Sequence, residues 1–331
     1  MQSTQTLRSA AQTRNILIGA GVDEASFESQ RYRDFLAKEF NCLYPTWALK
    51  WDGCHYEKGK FDFAIADRIV DFALESGCKI RLNCLLWHRD IPEWVLESAL
   101  SKAAAWEVVA EHIETVLKHF RGRIHYCDVV NEAIGDSGPA RDVGWGPLLG
   151  NNWIEEAFRL AHNAAPEVEL FYCDYRPKAE AKWDTIQSLL SKALSNGAPI
   201  HGLAVQLHSR MVPAVSERQV TSLLSKFLPL PLRIHLPECG VWIPPNGWLK
   251  DRQALIYGGM VRAGIKAGVD EIGFWWPTDW RAKGKTWVDF QSKPALPGLY
   301  DRALNPKPAR DSVILALNQQ QIQRAQSGSN L

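Results

Sequence analysis

Two strand-like runs of this sequence each end in a glutamate, a residue type that can move protons and attack carbon. The first run, residues 126–133, is apolar and rich in β-branched residues until it reaches Asn131 and Glu132. The second run, residues 232–238, also has strand-forming composition and closes on Glu238. Runs of this length without helical periodicity are typical of buried strands. The two carboxylic acids are therefore expected where a core ends and a cleft can begin.

A pair of carboxylic acids at strand ends favours glycoside hydrolysis, in which one acid serves as acid/base and the other as nucleophile. Either glutamate alone could equally begin a loop or cap a helix, and the second example is what strengthens the catalytic interpretation. A retaining mechanism predicts that the two carboxyl groups lie about 5–5.5 Å apart. We expect no cofactor and no metal, because side chains can perform all the proton transfers.

Histidine and amide side chains at other predicted strand ends are candidates for binding the substrate. Alternation places Gln206 and His208 on one face of their strand, and His88 follows a buried run. A lone histidine is often a structural residue, but two polar residues on an inward face favour a site. Lys50 is also near a strand end, although an isolated lysine is usually solvated.

The division of roles between the two acids depends on His208. If His208 lies on the strand beside Glu238, a donor nitrogen favours the ionised carboxylate. An ionised carboxylate is the nucleophile, so Glu238 takes that role. Glu132 then keeps a proton and acts as the acid.

Tryptophan is unusually frequent, at 14 residues. Ordinary core packing accounts for about half of them, but indole faces in a cleft also stack on the apolar face of a sugar ring. Trp47, Trp275 and Trp280 come just after predicted strands. We expect them in the cleft, together with Tyr175, which ends another strand-like run.

Strand and helix patterns alternate along the chain eight times. Strands are predicted at residues 16–20, 41–44, 79–87, 126–133, 169–173, 202–207, 233–236 and 271–275. Helices are predicted at residues 27–39, 61–76, 105–120, 153–163, 179–195, 215–227, 251–267 and 307–321, with Gly77 and Gly197 closing two of them.

Eight strand–helix units in a chain of this length predict a closed (β/α)8 TIM barrel. A doubly wound dinucleotide fold lacks support, because no Gly-x-Gly-x-x-Gly follows any strand. In a barrel of this kind the site lies at the carboxyl ends of the strands, where both glutamates fall.

Composition limits the partners and the domain plan. The 331 residues carry a formal net charge of +1 and are 46% hydrophobic, which argues against nucleic acid or an anionic membrane as partner. We expect a monomer that binds a β-linked polysaccharide or oligosaccharide. We expect a flexible lead at residues 1–14, a catalytic barrel at residues 15–324 and a disordered tail at residues 325–331.

The seven cysteines show neither disulfide-type nor metal-ligand spacing. Buried free thiols in a reducing compartment are the simpler interpretation. The polar first 14 residues also contain no apolar signal-peptide core. The sequence thus favours a cytoplasmic protein, with secretion by another route left open.

Several short motifs, in this order and spacing, resemble glycoside hydrolase family 10, the retaining endo-β-1,4-xylanases. The motifs are Gly59-Lys60-Phe61-Asp62-Phe63, Leu85-Leu86-Trp87-His88, Asp128-Val129-Val130-Asn131-Glu132-Ala133, Leu203-Ala204-Val205-Gln206-Leu207-His208, Glu238 and Asn305-Pro306-Lys307-Pro308-Ala309. The resemblance runs from about residue 16 to residue 313. It implies a (β/α)8 barrel with Glu132 as acid/base and Glu238 as nucleophile.

The same resemblance implies a set of residues around the sugar that is cleaved. These residues are Lys50, His88, Asn131, Gln206, His208 and Trp275.

The chain departs from the family pattern mainly around the substrate. Pro45-Thr46-Trp47 stands where the family has Pro-Glu-Asn, whose Glu and Asn bind the next sugar outwards. Gly240 stands where an Asp would orient His208, and Trp275-Trp276 replaces Trp-Gly. Arg81-Leu82-Asn83 and Cys173-Asp174-Tyr175-Arg176 also differ from the family's Arg-Gly-His and Asn-Asp-Tyr-Asn.

Two other classes of function compete with a xylanase. A carbohydrate-binding protein on a xylanase scaffold would explain the altered outer subsite, although a binder has no need of both acids. A barrel aldolase or dehydrogenase lacks support, because the sequence has neither a Schiff-base lysine context nor a phosphate-binding glycine-rich loop after strand seven or eight.

Overall fold

The computed structural model describes residues 5–99, 101–175, 180–210, 214–244, 248–279 and 296–328. Its strands are β1 (Leu17–Val22), β2 (Cys42–Pro45), β3 (Lys79–Trp87), β4 (Tyr126–Asn131), β5 (Glu169–Tyr175), β6 (Gly202–Arg210), β7 (Arg233–Trp242) and β8 (Glu271–Phe274). Its helices are α1 (Leu7–Gln12), α2 (Glu24–Phe27), α3 (Gln30–Glu39), α4 (Trp51–Cys54), α5 (Ala64–Glu75), α6 (Glu93–Ser98), α7 (Lys102–His119), α8 (Trp145–Leu149), α9 (Trp153–Ala164), α10 (Ala181–Ser195), α11 (Glu217–Ser225), α12 (Lys250–Lys266) and α13 (Pro308–Gly328).

The eight strands form a closed barrel in chain order, as the alternating pattern predicts. Neighbouring strands are parallel, with register pairs such as Asn131 with Cys173 and Tyr175 with Gln206. Parallel strands with helical connections put all their carboxyl ends on the same side. The prediction of a (β/α)8 barrel is therefore confirmed, while a single domain over residues 15–324 stays a prediction.

The chain divides into two compact units, which are named here by their position in the sequence. The terminal unit contains residues 1–42, 207–225 and 235–331, including β1, β8 and most of β7. The central unit contains residues 43–206 and 226–234, including β3, β4 and β5. Glu238 belongs to the terminal unit and Glu132 to the central unit.

Helix boundaries follow local chemistry. Gly77 and Gly197 both adopt positive φ just after a helix, as predicted, because a residue without Cβ enters that region at little cost. Ser101 caps α7, and its side chain accepts a hydrogen bond from the amide of Ala104.

The prediction of a flexible lead at residues 1–14 is wrong where α1 forms. Thr6 and Ser9 make a capping box. Leu7, Ala10 and Ala11 are buried on one face of the helix, and the Leu7 amide donates to Glu39 Oε2 at 3.0 Å. The six residues of this short helix were too few to show periodicity in the sequence.

Three further differences concern element length. Strands β6 and β7 extend to Arg210 and Trp242, beyond the predicted ends at residues 207 and 236. Helix α13 extends to Gly328, so residues 325–328 are helical rather than disordered. Residues 329–331 lie outside the described part of the chain.

All seven cysteines lie in the described part of the chain, are buried and are free thiols, as expected. In that part of the chain no helix has both the length and the apolarity to span a bilayer. Nor do three or more His, Cys, Asp or Glu side chains there form a group able to hold a metal ion.

Candidate active site

Glu132 directly follows the last residue of β4 and has its backbone fixed from two sides. Its φ is +57°, in the left-handed region that non-glycine residues seldom occupy. Its amide donates to the carbonyl of Cys173 at 2.9 Å, and its own carbonyl accepts from Arg141 Nε at 2.7 Å. These two hydrogen bonds hold a strained residue in place, as is common at functional sites.

The Glu132 carboxylate lies among polar side chains and is 12% exposed. Gln206 Nε2 donates to Glu132 Oε1 at 3.4 Å and to Asn131 Oδ1 at 3.0 Å. The other oxygen, Oε2, lies 4.0 Å from His88 Nδ1. The structure thus brings Asn131, Gln206 and His88 to Glu132, as the sequence predicts.

His88 is electrically neutral beside this acid. Burial, together with the smaller effects of the cations Arg141, Arg89 and Lys182, lowers the pKa of His88 to about 3. A neutral imidazole can donate or accept one hydrogen bond without adding a positive charge to the cleft.

Lys50 is the first residue of a buried polar chain rather than a solvated lysine. It is 1% exposed, and its Nζ donates to the backbone carbonyl of Asn83 at 3.1 Å and to Asn83 Oδ1 at 3.0 Å. Asn83 Nδ2 donates to Asp128 Oδ2 at 2.9 Å, and Asp128 also accepts from Arg81 Nε at 2.9 Å. The altered Arg81-Leu82-Asn83 motif therefore supports the position of Lys50.

Glu238 lies within β7 in the terminal unit and is 6% exposed. His208 Nε2 lies 3.3 Å from Glu238 Oε2, so the expected neighbour is present. A ring N–H that donates to the carboxylate favours its ionised form.

An aromatic ring, that of Trp276, also packs beside His208. A Cβ at Gly240 would lie 3.1 Å from His208 Nδ1. The Trp276 ring is 5.5 Å from the His208 ring, and Trp242 packs edge-on against Trp276 at 4.4 Å. Where the family pattern has a carboxylate at position 240, this imidazole has the Trp276 indole beside it.

Comparison with known proteins identifies the family. The model of glycosyl hydrolase family 10 matches residues 6–316. The endo-1,4-beta-xylanase B of Thermotoga neapolitana is 32% identical over 312 residues, covering 91% of this chain and 88% of that protein. The beta-1,4-xylanase of Dictyoglomus thermophilum is 31% identical, covering 88% and 86%.

Solved structures agree. Native xylanase 10B of Thermotoga maritima superposes with a TM-score of 0.89 at 30% identity, covering 97% of this chain and 100% of that one. Xylanase 10B of Thermotoga petrophila RKU-1, solved in complex with xylobiose, gives 0.89 at 29% identity, covering 97% and 99%. The chain belongs to glycosyl hydrolase family 10.

This family 10 chain is therefore a glycoside hydrolase. Its remaining predicted aromatic residues are placed unequally. Trp275 follows β8 and is buried, whereas Trp47 and Tyr175 are half-buried. Trp280 lies outside the described residues.

Three charged residues of this family 10 site were missed by the sequence reasoning. Arg141 Nε contacts the Glu132 carbonyl, and Arg141 also donates to the Tyr175 hydroxyl at 3.0 Å. Asp174 and Lys182 form a buried ion pair. Arg141 and Lys182 lie well away from the strand-end motifs in sequence. Asp174, however, directly follows Cys173, whose carbonyl accepts a hydrogen bond from the Glu132 amide. The pairing of neighbouring strands was therefore a signal that could have identified Asp174.

Proposed function

We propose that this chain is a retaining endo-β-1,4-xylanase in which Glu132 is the acid/base and Glu238 the nucleophile. The observation that carries the assignment is the contrast between the two carboxylates. Glu238 faces His208 Nε2 at 3.3 Å. Glu132 faces a neutral His88 and the Gln206 amide.

The reaction proceeds in two displacements. Glu238 attacks the anomeric carbon while Glu132 gives its proton to the leaving oxygen, and a covalent glycosyl-enzyme forms. Glu132, now ionised, takes a proton from water, which releases the sugar with retained configuration. The backbone hydrogen bonds of Glu132 to Arg141 and Cys173 keep Glu132 in place through both steps.

We also propose a set of residues that bind the substrate. They are Lys50, His88, Asn131, Gln206, His208, Trp275, Trp47, Tyr175 and Trp280. Xylan is the proposed glycan because the named relatives are xylanases and one similar structure contains xylobiose. We also propose that the protein acts as a monomer, which light scattering after gel filtration tests.

The decisive experiment measures hydrolysis of β-1,4-xylan and an aryl β-xylobioside by the wild type, Glu132→Ala and Glu238→Ala. We expect cleavage of xylan by the wild type alone. Azide should restore aryl-glycoside turnover to both variants, with an α-glycosyl azide from Glu238→Ala and a β-glycosyl azide from Glu132→Ala. Azide products with the opposite assignment would reverse the two roles.

A carbohydrate-binding protein without turnover is the weaker alternative. The named relatives are hydrolases, and both acids are held by side-chain partners in this chain. Binding of xylan without cleavage by the wild type would overturn the enzymatic proposal.

A further inference from the structure

The proposed acid/base lies at one end of a loop whose two ends are bonded to each other. Glu132 begins the loop after β4, and Arg141 lies nine residues later. The Arg141 amide donates to the carbonyl of Ala133 at 3.1 Å, and Arg141 Nε donates to the carbonyl of Glu132 at 2.7 Å. A β-bridge between Ile134 and Ala140 joins the two sides of the loop. The position of the Glu132 backbone therefore depends on where the Arg141 side chain is held.

A second nitrogen of the same guanidinium binds a tyrosine from the next strand. Arg141 Nη2 donates to the hydroxyl oxygen of Tyr175, the last residue of β5, at 3.0 Å. The hydroxyl in turn donates to the carboxylate of Asp136, which lies in the same loop as Arg141. A phenol can make both bonds at once, because its oxygen accepts one hydrogen bond while its proton forms another. The Tyr175 hydroxyl therefore joins two parts of the loop to β5.

Tyr175 is itself held from two further directions. Its amide donates to Asp174 Oδ1 at 2.9 Å. Lys182 Nζ lies 3.3 Å from the centre of the Tyr175 ring, which is a cation–π contact, and 2.6 Å from the same oxygen of Asp174. Because Asp174 and Lys182 are both 0% exposed, this support comes from the buried part of the central unit. A tyrosine anchored in this way can fix the position of a more exposed loop.

The Glu132 backbone needs such support. Its φ of +57° is a conformation that a residue with a Cβ adopts only at a cost in free energy, and it persists where the surroundings enforce it. The bond from its amide to Cys173 holds one side of the residue, and Arg141 holds the other. Loss of the Tyr175 hydroxyl would remove the contact of the guanidinium with β5, so the Glu132 carbonyl would be held by a less firmly placed partner.

We propose that Tyr175 is a positioning residue that keeps the Glu132 carboxyl in place by holding Arg141. The Tyr175 hydroxyl is engaged by Arg141 and Asp136, and one face of its ring is covered by Lys182. Its main effect is therefore on the chemical steps, beside the substrate contact proposed above. The inference rests on the proposed role of Glu132 and adds to it.

The first test is Tyr175→Phe, which removes the hydroxyl and keeps the ring over Lys182. With xylo-oligosaccharides we expect kcat to fall about tenfold, because a small displacement of a catalytic group lowers the rate. KM should be unchanged, since the lost interaction does not involve the substrate. A raised KM with wild-type kcat would make Tyr175 a substrate contact only and would overturn the proposal.

A substrate whose leaving group needs no proton shows which catalytic group has moved. With a 2,4-dinitrophenyl β-xylobioside the first displacement proceeds without the acid, so kcat/KM of Tyr175→Phe should equal that of the wild type. The second displacement still needs Glu132 as base, so kcat should fall, and azide should restore it because azide attacks the glycosyl-enzyme without a base. Equal losses of kcat/KM on this substrate and on xylo-oligosaccharides would indicate a general structural defect and refute the positioning role.

A double variant tests whether Tyr175 acts through Arg141. Arg141→Met/Tyr175→Phe should be no slower than Arg141→Met alone, because the tyrosine then has no guanidinium to hold. Losses that multiply would show that the two residues act independently, contrary to the proposal.

The matched control is Tyr126→Phe. Tyr126 is the first residue of β4, at the other end of that strand from Glu132, and its hydroxyl also accepts a hydrogen bond from a cation, Lys79 Nζ, at 3.0 Å. This variant loses the same atom and should keep wild-type kcat on both substrates. A similar tenfold loss in Tyr126→Phe would show that the effect at Tyr175 is not specific to Glu132, and the proposal would fall.

Hydrogen exchange measured by mass spectrometry tests the inference without turnover. In Tyr175→Phe, peptides from residues 132–141 should exchange their amide protons faster than in the wild type, whereas Tyr126→Phe should leave this loop at the wild-type rate. Unchanged exchange in the loop, or an equal increase throughout the chain, refutes the positioning role. A wild type that cleaves no β-xyloside would refute the proposed function while leaving this measurement valid.

Discussion

The surroundings of Glu132 and Glu238 differ in kind. Glu132 is held by a network of amides and charged groups, including Gln206, Arg141 and the nearby Asp174. Glu238 has His208 at one oxygen, and His208 in turn lies against the Trp276 indole. In the roles proposed above, the acid/base is held by amide and charged groups, whereas the nucleophile lies beside an imidazole. The difference teaches that the two acids are controlled by different physical means.

We expect the largest effect from a variant that removes a hydrogen bond to the backbone of Glu132. Arg141→Met removes the hydrogen bond to the Glu132 carbonyl and the one to Tyr175. A carboxyl misplaced by about 1 Å can cost about 100-fold in rate, so kcat on xylan should fall by that order. Steady-state kinetics gives the value.

Arg159→Met is the control for that prediction. Arg159 also donates to backbone carbonyls, those of Gly197 and Asn196, at the far end of α10. It should retain wild-type kcat. Equal losses in both variants would show that Arg141 acts through general stability.

The second prediction concerns pH and stability in the central unit. His55 Nδ1 lies 3.2 Å from His112 Nδ1, and both rings stack with Trp51. Burial lowers the pKa of His55 to about 4, and burial and His55 lower the pKa of His112 well below its usual value. Since the unfolded chain binds protons first, stability is full above about pH 6.5 and falls as the pH approaches 4.

Urea titrations at pH 7.5, 5.5 and 4.5 should show a loss of about 3 kcal/mol or more over this window, because both histidines resist protonation in the folded state. His55→Phe/His112→Phe should flatten the dependence. His119→Phe should not, because His119 is partly exposed and already paired with Asp67. A wild-type stability that does not change with pH would contradict the prediction.

The third prediction concerns the close approach of Gly240 to His208, the neighbour of Glu238. Gly240→Ala puts a methyl group about 3.1 Å from His208 Nδ1, a contact tighter than most. A displaced His208 should lower kcat/KM by about fivefold on every β-xyloside, whatever its leaving group. Measurement with two leaving groups checks this pattern, and a leaving-group dependence would refute it.

The smallest effect should appear in α1. Thr6→Ala removes one half of the capping box and should lower the free energy of unfolding by about 1 kcal/mol. Activity at 25 °C should remain, because α1 contributes no residue to either carboxylate cluster. Denaturation and xylan assays on the same sample decide the point.

The sequence predicted what depends on local pattern. Alternation and apolar runs located the strands, and their abrupt ends located Glu132 and Glu238. The positions of Gln206 and His208 followed from period-two alternation alone. These features need no knowledge of distant contacts.

The rest depends on partners far away in the chain. Arg141 and Lys182 contact backbone or side-chain groups on other elements of the fold. No spacing rule in the sequence connects either residue to its partner. Lys50 was the weakest candidate from the residues alone, because its burial depends on Asn83, 33 residues later. The length of β7 was underestimated because Pro237 and Gly240 resemble a strand end.

The seven buried cysteines have a practical consequence. Burial keeps all seven thiols away from reagents, and it raises the pKa of thiols such as Cys84 and Cys239, which disfavours the reactive thiolate. The folded protein should therefore not react with thiol reagents, and reducing agents should leave it unchanged. One cysteine introduced on the exposed surface would then be a selective attachment point for a fluorophore or a solid support, with no native cysteine removed.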